Sequence, residues 1–370
     1  MNRANTKLVV VIKYAAPYMA ALFRAINNEL GKNNVDFSVI VGSTTINNSF
    51  GDSKDWMHGF SYKTLDLDIL PLTPRDKRLI PPHPRLFKVI KEEKPDILWV
   101  HERNPFAIGA ILWAKINDIP VIISSDVGDC PPNYASSFFH RIYRKFTYRL
   151  HNGSIAMTMD AFRVADILQR PKVFIPHAVS SNDFKNQYTH KSSNPFRFLF
   201  VGTLDQRKGF DALILASIRL FELRKDFEVR VVGCGPLASQ FEQNNYQWLS
   251  YAGKLPHKEL FNEYEQADAF IFPSRQDTYA VVVHEAACFG LPLIVGKGAG
   301  ASEVLVKSYM NGIVVDPNNI EDIFNAMHFM LENPVELQKM RRISRELAIN
   351  FGVESNSVNF SNWFLTHFSL

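Results

Sequence analysis

Residues 270–305 read FIFPSRQDTYAVVVHEAACFGLPLIVGKGAGASEVL, and this stretch decides the fold. Ala269–Phe272 is a short apolar run closed by Pro273, the pattern of a buried strand ending in a turn. A polar loop follows, then helical spacing over Ala280–Phe289 until Gly290 and Pro292 stop it. Leu293–Val295 is a second strand, followed by the glycine-rich turn Gly296–Gly300. Strand, loop, helix and strand form a βαβ unit, so the loop lies at the carboxyl end of a parallel sheet, where such sheets bind ligands. Two carboxylates frame it, Asp277 before the helix and Glu285 within it. The backbone N–H groups of Thr278, Tyr279 and Ala280 are expected to be free at the helix start, a ready phosphate site, with the carboxylates available to sugar hydroxyls on either side.

At 370 residues the chain has room for two domains of ordinary size, and 46% hydrophobic residues, with 29 Phe, supply substantial cores. No apolar run approaches membrane-spanning length, and the N-terminus lacks the hydrophobic stretch of a signal peptide. Cys130, Cys234 and Cys288 are too few and too scattered for a disulfide framework or a zinc site. These features predict a cytoplasmic protein with reduced thiols. The net charge of +4 is unevenly spread: residues 1–190 carry 24 Lys+Arg against 17 Asp+Glu, and residues 191–370 carry 17 against 20. A basic first half suits an anionic acceptor or membrane surface, and charge alone does not separate these from nucleic acid.

In the first half, Leu8–Ile12 reads as a buried parallel strand, Met19–Leu30 as a helix ended by Gly31, and Phe37–Val41 as a second strand. Residues 42–82 read as irregular, with a basic cluster of Arg75, Lys77 and Arg78. Strands follow at Ile97–His101, Val121–Ser125, Ser154–Met159 and Lys172–Pro176, with a helix over Phe106–Asn117. His101 and Asp126 are polar residues at strand ends of one sheet. His101 reads as structural; Asp126 reads either as a turn former or as a residue lining the active site. Phe138–Leu150 places aromatics on one side of a helix and Arg141, Arg144, Lys145 and Arg149 on the other. Such a helix suits a membrane interface, or a core with a solvated basic face.

Residues 181–195 are polar and read as a linker. The pattern restarts with the strand Phe196–Val201 and the segment VGTLDQRKGF at 201–210, in which Arg207-Lys208-Gly209 opens a helix. Val229–Val232 leads into Gly233-Cys234-Gly235, which lacks the third glycine of a dinucleotide fingerprint. Trp248–Leu255, a helix at His257–Gln266, a strand at Ile313–Val315 and helices near Ile320–Leu331 and Val335–Asn350 complete this half. The tail, Ser355–Phe368, carries Phe360, Trp363, Phe364 and Phe368.

Pro273, Ser274, Asp277, Tyr279, Ala280, Glu285, Ala286, Gly290 and Pro292 together resemble the signature of the retaining glycosyltransferases of family 4, which have the GT-B fold. Here Asp277 stands for the usual Glu, Tyr279 for Phe and Ala280 for Gly. The resemblance implies an α/β architecture of two doubly wound Rossmann-like domains facing across a cleft. Residues 1–180 would form the acceptor domain, 181–195 the linker and 196–352 the nucleotide-sugar domain, with a C-terminal helix in 353–370 packing back on the first. The implied catalytic set is Asp126, Arg207, Lys208 and Asp277, with Asp126 at the place of a family His near the anomeric carbon. Arg207, Lys208 and the N–H groups of Tyr279, Ala280 and Val281 would take the diphosphate, with no metal, beside Gly202 and Thr203, where many members have Gly-Arg. Glu285 would hold the ribose hydroxyls, Asp277 the transferred sugar, and Gly233, Lys254 and Leu255 would complete the nucleotide contacts beside Thr278.

The donor so implied is a UDP- or GDP-sugar, and the acceptor a hydroxyl of a glycan or a lipid-linked molecule. The setting is cell-surface polysaccharide or lipopolysaccharide synthesis in the cytoplasm, with peripheral contact to an anionic membrane and no nucleic acid. Family chemistry is a front-face displacement in which the leaving phosphate assists the incoming hydroxyl. Two rivals stand beside it: a GT-B nucleotide-sugar epimerase, and a sugar-nucleotide-binding partner subunit without activity, for which Thr203, Asp126 and Ala280 speak.

Overall fold

The computed structural model describes residues 5–44, 53–67, 70–71, 78–79, 83–102, 104–126, 149–180, 194–239 and 246–368. Arg75, Lys77, most of the linker and nearly all of the amphipathic stretch Phe138–Leu150 lie outside the described residues. The chain divides into two compact units, one of Met1–Ala178 with Val353–Leu370, the other of Val179–Gly352.

In the first unit, β1 (Thr6–Ile12), β2 (Val35–Val41), β3 (Ser61–Thr64), β4 (Leu70–Pro71), β5 (Arg78–Leu79), β6 (Ile97–His101), β7 (Val121–Ser125), β8 (Gly153–Ala156) and β9 (Lys172–Phe174) alternate with helices. These are α1 (Pro17–Gly31), α2 (Pro84–Glu93), α3 (Pro105–Ile116) and α4 (Met159–Ile167). Seven strands make one parallel sheet in the order β3-β2-β1-β6-β7-β8-β9; β4 and β5 form a separate antiparallel ribbon. Because side chains alternate across a strand, β1 feeds two cores. Leu8, Val10 and Ile12 pack with Phe23 and Trp99, while Val9 and Val11 pack with Leu86, Ile90 and Phe106. Burial on both faces is why β1 reads as a continuous apolar run.

Two expectations fail here. Residues 42–82, expected to be irregular, hold β3, in register from Ser38↔Ser61 to Val41↔Thr64. An edge strand is hydrogen-bonded on one side and half exposed, so SYKT shows no apolar run. The strand expected over Ser154–Met159 stops at Ala156, because Thr158 caps α4 by accepting the Ala161 N–H at 3.1 Å.

The second unit contains β10 (Phe196–Val201), α5 (Phe210–Leu223), β11 (Phe227–Val232), β12 (Leu249–Gly253), α6 (His257–Glu265), β13 (Ala269–Phe272) and α7 (Val281–Cys288). It continues through β14 (Leu293–Gly296), α8 (Ala301–Leu305), β15 (Gly312–Val315), α9 (Ile320–Glu332) and α10 (Pro334–Asn350). Its six strands are parallel in the order β12-β11-β10-β13-β14-β15, around fully buried Phe198, Phe200, Phe210, Phe227, Phe270 and Phe272. The strand order reverses between β10 and β13, so the loops leaving these two strands form the topological switch point.

After this unit the chain returns to the first one as α11 (Val353–Phe368). Phe360 and Phe364 are fully buried there, and Phe360 stacks on Trp99 of β6 with ring centroids 5.1 Å apart. Asn356 Nδ2 donates to the Pro176 carbonyl at 2.9 Å.

Candidate functional site

The loops at the second sheet's switch point are laced together by backbone contacts. Gly209, just before α5, has φ +72°, and a Cβ there would lie 1.8 Å from the Pro273 carbonyl oxygen. Only glycine permits both the left-handed backbone and that approach. The approach brings Arg207 and Lys208 onto the loop that leaves β13. Arg275 N–H and Gln276 N–H donate to the Arg207 carbonyl at 2.9 and 3.3 Å, and the Ser274 hydroxyl donates to it at 3.2 Å.

The two cations have different surroundings. Lys208 is buried, and its ammonium is ion-paired with the Asp277 carboxylate and lies 5.4 Å from the Phe272 ring centroid. Arg207 has a side chain 48% exposed, with one nitrogen donating to the Gln276 carbonyl at 3.2 Å and another 3.8 Å from Asp205. A third cation, which the sequence reading passed over, ties the loops: Arg275 makes a two-pronged contact to Asp211 at 2.6 and 3.0 Å and donates to Asn318 Oδ1 at 2.9 Å.

Asp277 does not leave the helix start open as expected. Its Oδ1 accepts from the Ala280 N–H at 3.1 Å and, more weakly, from the Tyr279 N–H at 3.4 Å. A short carboxylate side chain bonds readily to backbone N–H groups two and three residues on, and this one caps its own loop. Among the described residues, the N–H groups that meet no acceptor at this helix start are those of Thr278, Val281 and Val282. With the Tyr279 and Ala280 N–H groups taken by Asp277, the adjacent open pair on the helix is Val281 and Val282. Ala280 itself sits at φ +74°, a backbone region that glycine enters more easily. Tyr279 is a core side chain, its phenol pushed far up by burial, with Cys288 adding to the shift; Thr278 is exposed.

Glu285 lies in the second turn of α7 and is 7% exposed. Its Oε2 accepts from the Tyr264 hydroxyl at 2.8 Å, and its Oε1 lies 3.6 Å from His257 Nε2. Burial first, and the Glu285 carboxylate second, raise the Tyr264 phenol well above its ordinary range. The sequence assigns no site role to Tyr264 or His257. Their spacing of seven residues on α6 was the available signal, since two helical turns place them on one face. At the carboxyl ends of β11 and β12, the Gly233 N–H donates to the Gly253 carbonyl at 2.8 Å, and a Cβ on Gly233 would lie 1.9 Å from the Gly202 carbonyl oxygen. Gly202, Thr203, Gly233, Lys254 and Leu255 thus follow one sheet edge that runs into the cation pair.

Asp126 belongs to the first unit, apart from these residues in the chain's division. Its Oδ1 lies 3.1 Å from Nε2 of the buried His177. Burial pushes this carboxyl up, but the charge and hydrogen bond of His177, with His101 adding, outweigh that and hold it at about 2. His101 Nδ1 lies 2.8 Å from Ser124 Oγ, which also accepts from Trp99 Nε1 at 2.8 Å. His101, Glu102 and Asp126 present ligand atoms within 4.8 Å of one another, a spacing that a divalent cation could bridge, although His177 already partners Asp126. Among the described residues, no helix is long and apolar enough to cross a membrane.

Residues 181–347 match the family described as glycosyl transferases group 1. Among curated relatives, an uncharacterized glycosyltransferase of Haemophilus influenzae is 29% identical over 42% of this chain and 45% of its own length. Sulfoquinovosyl transferase SQD2 of Arabidopsis thaliana is 22% identical over 71% of this chain and 55% of its own. The chain spans about half the length of these curated relatives. Anabaena HepE, solved in complex with UDP, superposes with a TM-score of 0.73 at 15% identity, covering 98% of this chain and 100% of HepE. A UDP-N-acetylglucosamine 2-epimerase superposes at 0.63 with 17% identity, covering 98% and 97%. At such identities the likeness shows the fold, which is that of the GT-B glycosyltransferases.

Proposed function

We propose that this chain is a retaining glycosyltransferase that moves a sugar from a nucleotide-sugar to a hydroxyl of a glycan or lipid-linked acceptor, in cell-surface polysaccharide or lipopolysaccharide synthesis. The observation that carries the reading is the meeting, at one switch point, of Arg207, Lys208 and the open N–H groups of Val281 and Val282, with Glu285 one turn further along the same helix. The cations and N–H groups suit a diphosphate, and the carboxylate suits a ribose. In the reaction, the bond from the anomeric carbon to the diphosphate oxygen breaks and a bond to the acceptor oxygen forms. The acceptor proton passes to the leaving phosphate. Negative charge grows on that phosphate, so the cations act most strongly in the transition state, and no divalent ion is required.

The test is release of nucleoside diphosphate from UDP-, GDP-, ADP- and dTDP-sugars in excess chelator, with and without glycan acceptors. Lys208→Ala is expected to lower kcat more than it raises KM. No release from any donor would overturn the reading. An isomeric nucleotide-sugar as product would instead favour the epimerase reading, which the likeness to the 2-epimerase supports. The basic stretch Phe138–Leu150 is proposed to attach the protein to anionic membrane, and equal vesicle binding by an Arg141, Arg144, Lys145, Arg149→Gln variant would refute that.

A further inference from the structure

We propose that Tyr264 is a positioning residue for Glu285, occupying one carboxylate oxygen so that the other alone meets the ligand and selects a ribose carrying both vicinal hydroxyls over one lacking them. The inference rests on the reading of this unit as a nucleotide site.

A buried carboxylate needs partners, and Glu285 Oε2 has one in the Tyr264 hydroxyl at 2.8 Å. That phenol has no freedom to swing. Tyr264 is 0% exposed, its ring stacks on Phe289 at 5.2 Å and 16°, and Phe270 lies at 5.9 Å. Burial and the neighbouring carboxylate keep the proton on the phenol, so the hydroxyl remains a donor. Oε2 is therefore committed within the protein. Oε1 lies 3.6 Å from Nε2 of His257, whose side chain is 66% exposed. At that distance the contact is a longer-range ion pair and not a hydrogen bond, so Oε1 keeps its hydrogen-bonding sites for an incoming hydroxyl. An ionised carboxylate oxygen offers about two lone-pair sites, enough for the vicinal hydroxyls of one ribose. Both oxygens are thus not equally available, and the orientation of the available one is set by Tyr264.

Tyr264→Phe removes the hydroxyl and keeps the ring. A packing role for Tyr264 would change stability and leave ligand discrimination alone; a positioning role changes discrimination. Wild type, Tyr264→Phe and Glu285→Gln are titrated calorimetrically with UDP, GDP and the 2′,3′-dideoxy forms of both, and the ligand-free melting temperature of each protein is recorded. Hydrogen bonds to a charged acceptor correspond to a factor of roughly 10 to 100 in affinity. Wild type is expected to prefer the ribonucleotide by about that factor. Tyr264→Phe is expected to weaken the ribonucleotide about tenfold and leave the dideoxy form unchanged, so that the preference collapses. Glu285→Gln is expected to lose the preference as well, which keeps the test alive should Tyr264→Phe not fold. An undiminished preference in Tyr264→Phe, or none in wild type, overturns the proposal while leaving the nucleotide site standing. Binding of neither nucleotide by wild type would overturn the site itself, and the inference with it.

Discussion

Replacing Asp277 by Asn separates the two tasks that this residue performs. The Lys208 side chain is 11% exposed and that of Asp277 19%, so removal of the carboxylate charge strands a largely buried ammonium. Breaking such a pair from one side costs about 3–5 kcal/mol, and the residual exposure of Lys208 places this one near 3. Asn keeps an oxygen for the Ala280 N–H, so the loop cap survives; Asp277→Ala loses that too, at about 1 kcal/mol more. In a unit of this size each kcal/mol moves the melting temperature by roughly 2–4 °C. The transition of the second unit should therefore fall by about 6–12 °C in Asp277→Asn and a few degrees further in Asp277→Ala. Scanning calorimetry with and without saturating nucleoside diphosphate reads this, since the ligand marks which transition belongs to the second unit. A bound diphosphate also supplies Lys208 with new negative charge, so saturation should recover part of the Asn deficit. An Asn variant that melts with the wild type, or equal losses for Asn and Ala, would refute the two-task reasoning.

Other outcomes follow from single contacts. Gly209→Ala drives a Cβ to 1.8 Å from the Pro273 carbonyl at φ +72°, and should lose more than about 3 kcal/mol in urea unfolding or fail to accumulate as soluble protein. Phe360→Ala should cost the first unit about 3–5 kcal/mol and leave the ligand-sensitive transition in place, which the same calorimetry resolves. The Asp126 carboxyl, held at about 2, lies below its ordinary value, so its contribution is present above about pH 4 and is lost as pH falls towards 2. The stability gap between wild type and Asp126→Asn should accordingly narrow by about 1 kcal/mol between pH 5 and pH 3.

The parallel strands that are buried on both faces are legible as apolar runs, and β6, β7, β10 and β13 fall on the residues that the runs mark. Strand β3 is not legible, because an edge strand with alternating exposure carries no such run. Helix α4 hides for another reason: the apolar residues of β8 continue into it, and only the Thr158 cap separates the two. At the site, Asp277 and Glu285 stand out as carboxylates around a helix start, and Arg207 with Lys208 as cations at a turn. What each one touches is set by tertiary packing. Lys208 and Asp277 lie 69 residues apart in sequence, Arg275 and Asp211 lie 64 apart, and Tyr264 reaches Glu285 over 21 residues from another helix. The closure of the helix start by Asp277 was within reach, because an Asp two and three residues before two N–H groups is a local capping pattern.

The return of α11 to the first unit sets an order of events during synthesis. The second unit is one continuous stretch, Val179–Gly352, and has all its residues as soon as that stretch leaves the ribosome. The first unit, begun earlier, still lacks Phe360, Trp363, Phe364 and Phe368, which complete the core around Trp99 and Phe23. Its apolar surface must therefore wait, unfinished, while the whole second unit is translated. A ribosome stalled within that unit holds a nascent first sheet missing its last helix, the point at which a chaperone that recognises exposed aromatic surface would find its substrate.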